Sequence, residues 1–214
     1  MAVSRFVRAC TLALLVGASG LATGQALEQF HAAVVKGDAK TVSALLSQGL
    51  DPNTTNTNCI TVLMTAALLG HEELVSILIE RKAGVMRRSP HGDTALMYAS
   101  LKGHLGVARL LVAKGSQVNH GGWTSLHYAA FEGHAAMIKF LIEKGADKNA
   151  IAPNGFSALM LAAGSGHLDA LRALLYEDVD FRVKGPAGET ALGIAKSRKD
   201  AGLEELLRRA GAVD

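Results

Sequence analysis

The chain has 214 residues, of which 49% are hydrophobic and 19% charged, and its net charge is +3 at pH 7. This composition supports a packed core and excludes an intrinsically disordered chain, which would contain fewer apolar residues. Only 5% of the residues are aromatic and 23 are glycine, so small and branched aliphatic side chains must fill the core. Such a composition suits closely packed helices.

The first segment, at 1–26, has the features of a secretory signal peptide. Arg5 and Arg8 precede a strongly apolar run at 9–16, and small residues then lead to a cleavage site after Ala26. The alternative is an uncleaved anchor, but the run is much shorter than the roughly 20 residues of a membrane-spanning helix. We therefore expect a periplasmic or secreted mature chain that is free of the membrane after cleavage.

Removal of this segment changes the charge and the cysteine content of the chain. It takes away two arginines and no acidic residue, which leaves 20 basic residues against 19 acidic ones. A near-neutral chain gives no electrostatic reason to expect a nucleic-acid partner. Cys10 is removed as well, so Cys59 would be the single cysteine of the mature protein and no intramolecular disulfide is expected.

An internal repeat runs through the rest of the chain. The pattern Ala-Ala-x-x-Gly-His, in exact or degenerate form, recurs at spacings of 33, 33, 30 and 33 residues. Its turn glycines are Gly37, Gly70, Gly103, Gly133 and Gly166, and Lys199 stands at the sixth position. A second marker follows each by twelve residues, at Gly49, Lys82, Gly115, Gly145, Asp178 and Gly211. Six units are therefore predicted, at about 27–53, 54–86, 87–119, 120–149, 150–182 and 183–214.

Each unit predicts a pair of short helices. A threonine or serine can cap the first helix, the turn glycine ends it, and the second helix has apolar residues at three- and four-residue spacing. The capping residues are Thr61, Thr94, Thr124, Ser157 and Thr190, and the first unit starts directly with a helix near Glu28. Such a pair cannot bury its apolar face alone, so the units must stack. We expect an all-α solenoid of about six helix–turn–helix units with short hairpin-like loops.

These units resemble ankyrin repeats across the whole mature chain. The strongest match is Gly-Trp-Thr-Ser-Leu-His-Tyr-Ala-Ala-Phe-Glu-Gly-His at 122–134, followed by Leu-Ile-Glu-Lys-Gly-Ala-Asp-Lys-Asn at 141–149. The family proline after the capping threonine is absent throughout, which resembles bacterial versions of the repeat. The family histidine two residues further on is kept at His31 and His127, but its place is taken by Met64, Met97, Met160 or Gly193 elsewhere.

The eight histidines of the chain invite a metal or catalytic interpretation. Four of them, at 71, 104, 134 and 167, each follow the turn glycine of a unit, so the repeat explains their spacing. They are spread along the stack, whereas metal ligands must converge on one point. An enzyme or metal binder built on the solenoid would need a converging polar constellation, and the sequence contains none. We expect no enzymatic activity, no cofactor and no bound metal.

The resemblance also implies a protein-binding surface on the concave side of the stack. In the family this surface contains the residues just before the capping threonine and the two before the turn glycine. The candidates are Ile60, Leu68, Leu69, Leu101, Lys102, Trp123, Phe131 and Phe156. Their apolar members are costly to expose unless a partner covers them; the alternative is that packing between units hides them. The loop before Trp123 is three residues shorter than the others, which either leaves a notch there or is a neutral deletion.

The resemblance therefore implies a monomeric, non-enzymatic scaffold that binds another protein in the bacterial cell envelope. Similar secreted ankyrin proteins suggest an accessory factor for an envelope enzyme such as a catalase, or an immunity protein that neutralises a toxin. An immunity protein should expose a strongly charged face, which the balanced charge of this chain disfavours. A host-targeted effector is a third alternative, and the N-terminal segment disfavours it.

Overall fold

The structure, a computed structural model, describes residues 20–175 and 179–213. These residues form twelve α-helices and no strand, connected by turns and by hairpin-like loops. The helices are α1 (Gly20–Lys36), α2 (Ala39–Ser47), α3 (Val62–Leu69), α4 (Glu72–Glu80), α5 (Ala95–Lys102), α6 (Leu105–Ala113), α7 (Ser125–Glu132), α8 (Ala135–Glu143), α9 (Ala158–Ser165), α10 (Leu168–Leu174), α11 (Ala191–Ser197) and α12 (Ala201–Arg209). The all-α class and the paired helices predicted from the repeat are confirmed.

The helix pairs stack into two rows. The odd-numbered helices α1 to α11 pack side by side in chain order and form the inner row, and the even-numbered helices form the outer row. Fully buried leucines between the rows, such as Leu96, Leu111, Leu126 and Leu141, join neighbouring units into one continuous core. Each unit therefore depends on its neighbours for burial, as in other solenoids.

The predicted capping residues begin the inner helices as expected. Thr61 Oγ1 accepts a hydrogen bond from the Met64 backbone N–H at 3.2 Å, and the other four capping hydroxyls make the equivalent bond. At α5 a second hydrogen bond runs in the opposite direction: the Thr94 backbone N–H donates to the Sδ atom of Met97 at 3.3 Å. Met97, at the histidine position of its repeat, thus preserves the reciprocal cap with a softer acceptor.

Asparagine side chains hold successive loops in register. The Oδ1 atoms of Asn53, Asn119 and Asn149 accept backbone N–H groups of the following loop at 2.8, 2.9 and 3.0 Å. Met86 occupies the equivalent position in the second unit, where its Sδ atom lies 3.3 Å from the Gln117 nitrogen. The loops are therefore connected along one edge of the stack. The connection between units two and three is weaker, because a thioether sulfur accepts there in place of an amide oxygen.

The two ends of the stack differ from its middle. Helix α1 begins at Gly20, before the predicted start near Glu28, and so crosses the predicted cleavage site. At the other end Lys199 adopts the left-handed conformation at φ +57° in place of the turn glycine, and Asp200 caps α12 by accepting from the Leu203 N–H at 3.2 Å. The surface of α12 carries an exposed ion pair between Arg209 and Glu205.

The predicted signal peptide lies mostly outside the described residues. Cys59 is disulfide-bonded in the structure, and no cysteine among the described residues is free. The prediction of a lone thiol concerns the chain after removal of residues 1–26, and it stays a prediction, because the full-length chain still contains Cys10, which lies outside the described residues. Within the described ranges, no helix combines the length and the apolar character needed to span a membrane.

Candidate protein-binding face

Three of the four turn histidines hydrogen-bond to the preceding unit, and the fourth, His167, lies against Gly133 of that unit. The Nε2 atom of His104 lies 3.1 Å from the Leu68 carbonyl oxygen, and that of His134 lies 3.1 Å from the Leu101 oxygen. His71 makes the equivalent contact with the first unit at 3.2 Å. A carbonyl oxygen only accepts, so Nε2 carries the proton and donates in each case. These histidines thus have the structural role expected of them. In 20–175 and 179–213, no group of three or more His, Cys, Asp and Glu side chains could hold a metal ion.

The turn glycine of one unit forms the seat for the histidine of the next. Gly103 has φ +71°, and a Cβ atom there would lie 2.6 Å from Nδ1 of His134. Glycine is therefore required at this position for two reasons: it adopts the left-handed backbone conformation, and it has no Cβ atom to block the close approach of the ring. At the last junction Arg198 replaces the histidine: its guanidinium lies over Gly166 and donates to the Gly164 carbonyl.

An aromatic cluster, formed by Trp123, His127 and Tyr128, lies at the base of the shortened loop. The Trp123 ring meets His127 edge to face at 5.8 Å between centroids and packs against Tyr128 at 5.3 Å. The Tyr128 hydroxyl donates to Asp93 Oδ1 at 2.8 Å, which joins this helix to the loop of the preceding unit. Burial and this contact with the Asp93 carboxylate raise the pKa of Tyr128 well above its ordinary value, so its hydroxyl stays protonated and donates.

His127 is the buried centre of the aromatic cluster. Its Nδ1 atom lies 3.1 Å from the Thr124 backbone N–H and 2.8 Å from the Thr124 hydroxyl, and it accepts from both. Its Nε2 atom donates to the carbonyl oxygen of Ala150 in the next loop at 3.0 Å. These contacts define a neutral imidazole with its proton on Nε2. Burial is the main reason that the pKa of His127 is lowered.

We expect acid to destabilise the fold through His127. Its folded-state pKa lies below 6.5, the ordinary value, so between the two values the unfolded chain binds more protons than the folded chain. The free energy of unfolding is therefore at its full value above 6.5 and decreases as the pH falls toward the folded pKa. Burial also lowers the pKa of His31 and His120, which act in the same direction.

The contribution of His127 to this pH dependence can be isolated with the variant His127→Gln, which cannot titrate. Urea unfolding of both proteins at about pH 5 and about pH 7.5 measures it. We expect the variant to lose less stability than the wild type between the two conditions. Equal losses in both proteins would mean that His127 is not the group that titrates.

The eight residues predicted for the binding face differ in their accessibility. Three are exposed, namely Leu69, Lys102 and Phe131, and five are half-buried, namely Ile60, Leu68, Leu101, Trp123 and Phe156. The exposed fractions of Phe131 and Leu69 are 47% and 41%, which is high for large apolar side chains. Ile60 and Phe156 pack against the hydrophobic core, so packing between units takes up part of their surface, as the alternative interpretation expects.

Two features of this face were missed by the sequence analysis. Val35 is 56% exposed and stands two residues before Gly37, so the offset used for the later units would have identified it in the first. A shallow hollow beside it is lined by His31, Ala32, Lys36, Asn56 and Thr65. The second feature is the hydrogen bond from Tyr128 to Asp93. No local sequence pattern predicts it, because the two residues are 35 positions apart in the chain.

Comparison with protein families identifies the repeat. The profile described as Ankyrin repeats (3 copies) matches residues 30–121, 90–152 and 126–213. The three overlapping matches together cover most of the chain. A solved structure, the human ASB11 ankyrin repeat domain, superposes with a TM-score of 0.80 over 86% of this chain and 84% of that one. The two are 24% identical, so this similarity shows the fold alone.

Two sequence relatives match the chain over shorter stretches. The Ankyrin repeat and KH domain-containing protein mask of Drosophila melanogaster is 43% identical over 63 residues, which are 29% of this chain and 2% of that protein. The probable E3 ubiquitin-protein ligase XBOS32 of Oryza sativa subsp. japonica is 38% identical over 84 residues, which are 39% of this chain and 17% of that protein. The chain thus spans only a small part of each relative.

Proposed function

Because the chain belongs to the ankyrin-repeat family, we propose that it is a non-enzymatic, monomeric scaffold that binds another protein on the concave face of its stack. Ankyrin repeats generally mediate protein–protein interactions. The observation that carries the proposal is the exposure of Phe131 and Leu69 on the inner helices. Large apolar side chains that share one face of a soluble protein mark an interaction site.

Phe131 and Trp123 are the anchors that we propose for this partner. Aromatic side chains dominate the binding energy of many protein interfaces. Trp123 is held in place by His127 and Tyr128, so little conformational freedom is lost when a partner covers it. The two residues lie at opposite ends of the same inner helix: Trp123 precedes α7, beside the shortened loop, and Phe131 lies in its last turn.

Partner capture tests the proposal. The immobilised protein is used to isolate a partner from cell-envelope extract, and the affinity of that partner is then measured for Trp123→Ala and Phe131→Ala. Each change should weaken binding by about 2 kcal/mol or more, roughly 30-fold. Because Phe131 is half exposed, its truncation should barely change the fold. Val213→Ala is the matched control, since Val213 is 72% exposed at the far end of the stack.

Stability measurements distinguish recognition from packing. If Trp123 and Phe131 were core residues, each truncation would cost about 3–5 kcal/mol of folding free energy. Such losses in both variants, with partner capture unchanged while they remain folded, would overturn the proposal. Denaturant melts of the same preparations provide this comparison.

We further propose that the protein works in the periplasm or outside the cell. The basic residues, apolar run and cleavage site of the N-terminal segment support export. Among the described side chains of α1, the buried ones are Phe30, Ala33 and Val34, and all three follow Ala26, so cleavage there leaves their core contacts intact.

Intact mass and N-terminal sequencing of protein from the cell envelope test the export proposal. We expect a chain that begins near Leu27. A full-length chain in the cytosol would contradict it.

A further inference from the structure

Four successive inner helices each carry an apolar residue at the same position of the repeat. These residues form a row, here named the inner ridge, which consists of Val35, Leu68, Leu101 and Phe131. Each stands two residues before the turn glycine of its unit. Val35 and Phe131 are 56% and 47% exposed, and the two leucines between them are half-buried. The fifth unit has Gly164 at this position, so the ridge ends there.

Equivalent hydrogen bonds hold the backbone of the inner ridge at its three junctions. The backbone carbonyls of Val35, Leu68 and Leu101 each accept the bond of the next unit's turn histidine, at 3.1 to 3.2 Å. Packed helices lie about 8–10 Å apart, so the four ridge positions extend over about 24–30 Å. A partner segment that contacts all four must repeat its apolar side chains at the same interval.

An α-helix meets this spacing on a single face. It rises about 1.5 Å per residue, so side chains seven residues apart lie about 10.5 Å apart on the same side, and about 20 residues cover the ridge. In a β-strand three residues span about 10 Å, but an odd spacing places alternate side chains on opposite faces. A polyproline helix fits the spacing, but such segments dock into aromatic-lined grooves. Three of the four ridge residues are aliphatic.

Charged residues beside the inner ridge indicate which charges a bound helix would carry on its flank. Lys36 and Lys102 directly follow the first and third ridge residues, and Glu132 follows the fourth; all three side chains are exposed. Leu69 follows the second and widens the apolar surface. A complementary segment carries acidic residues opposite the two lysines and a basic residue opposite Glu132.

We infer that the concave face binds an amphipathic α-helix of the partner protein, laid along the inner ridge across the inner helices. Its apolar side chains recur every seven residues, and acidic residues on its flank face Lys36 and Lys102. This inference rests on the proposed function and specifies the segment of the partner that the face recognises.

Displayed peptide libraries test the inference with the full-length protein as bait. The first library encodes amphipathic helices of about 25 residues with apolar residues every seven positions and varied charged flanks. The second has the same composition with apolar residues every five positions, which do not share one face. The third encodes proline-rich segments with an apolar residue every third position. We expect enrichment of the first library, with acidic residues selected beside its apolar positions.

Variants of the bait locate the contact. Val35→Asp should weaken the selected heptad peptides at least tenfold, whereas Val213→Asp, at a more exposed valine away from the ridge, should leave them unchanged. Lys102→Glu should reverse the preference from acidic to basic flanks. Circular dichroism melts confirm that each variant is folded.

The result that would overturn the inference is equal enrichment of the two helical libraries, preference for the proline-rich library, or full binding by a folded Val35→Asp protein. The proposed function is judged separately by the captured natural partner. If that partner depends on Trp123 and Phe131 but not on Val35, the protein is a concave-face scaffold that does not bind a helix along the inner ridge.

Discussion

Replacing Gly103 with alanine should lower the free energy of unfolding by about 2–3 kcal/mol, because two separate costs add. A side chain in the left-handed conformation costs about 1–2 kcal/mol, and Gly103 has φ +71°. The new Cβ atom would also lie 2.6 Å from the His134 ring. The ring must then move away, which sacrifices its hydrogen bond to Leu101, worth about 1 kcal/mol.

Gly145→Ala is the matched control for this change. Gly145 also has a left-handed backbone, at φ +82°, but no atom lies within 4 Å of a Cβ atom built there. We expect the free energy of unfolding of this variant to fall only by the cost of placing a side chain in the left-handed conformation, about 1–2 kcal/mol. Urea unfolding of both variants measures the difference. Equal losses would show that the contact between glycine and histidine does not hold neighbouring units together.

Replacing His127 with alanine should cost about 3 kcal/mol or more and should also weaken partner binding. The change removes the acceptor for the buried Thr124 N–H and the donor to Ala150, and each polar group left unsatisfied costs about 1–3 kcal/mol. Trp123 loses its edge contact with the imidazole, so the proposed anchor is less well positioned.

His127→Met is the control that this repeat itself offers. Met97 occupies the same position in the preceding unit and accepts from the Thr94 N–H at 3.3 Å. The methionine variant should therefore retain the cap and lose chiefly the bond to Ala150, at a cost of about 1 kcal/mol. Calorimetry and the capture assay measure both effects. If the methionine variant is as unstable as the alanine variant, the cap is not what His127 contributes.

Part of the exposure on the proposed binding face could be predicted from the sequence, because the repeat assigns each residue a place in its unit. Phe131 and Leu69 are exposed, as their positions two and one residues before a turn glycine imply. The same rule could not show that Ile60 and Phe156 pack against the core. Their burial depends on the side chains of neighbouring units, which vary from one repeat to the next.

The sequence by itself determined the elements of this protein. Caps such as Thr94 and turns such as Gly103 depend on bonds within a few residues, and the apolar spacing of each helix selects the face that it buries. The number of units follows from the period of the repeat. Local chemistry therefore sufficed for the all-α solenoid.

Only the tertiary structure decided how the units are joined and what the binding face contains. The seating of His134 over Gly103, the bond from Tyr128 to Asp93 and the packing of Trp123 against Tyr128 all depend on how units stack or on which rotamers their side chains adopt. The first two contacts join residues about one repeat apart. Their distances are set by the packing of one helix pair against the next, which no property of a single unit specifies.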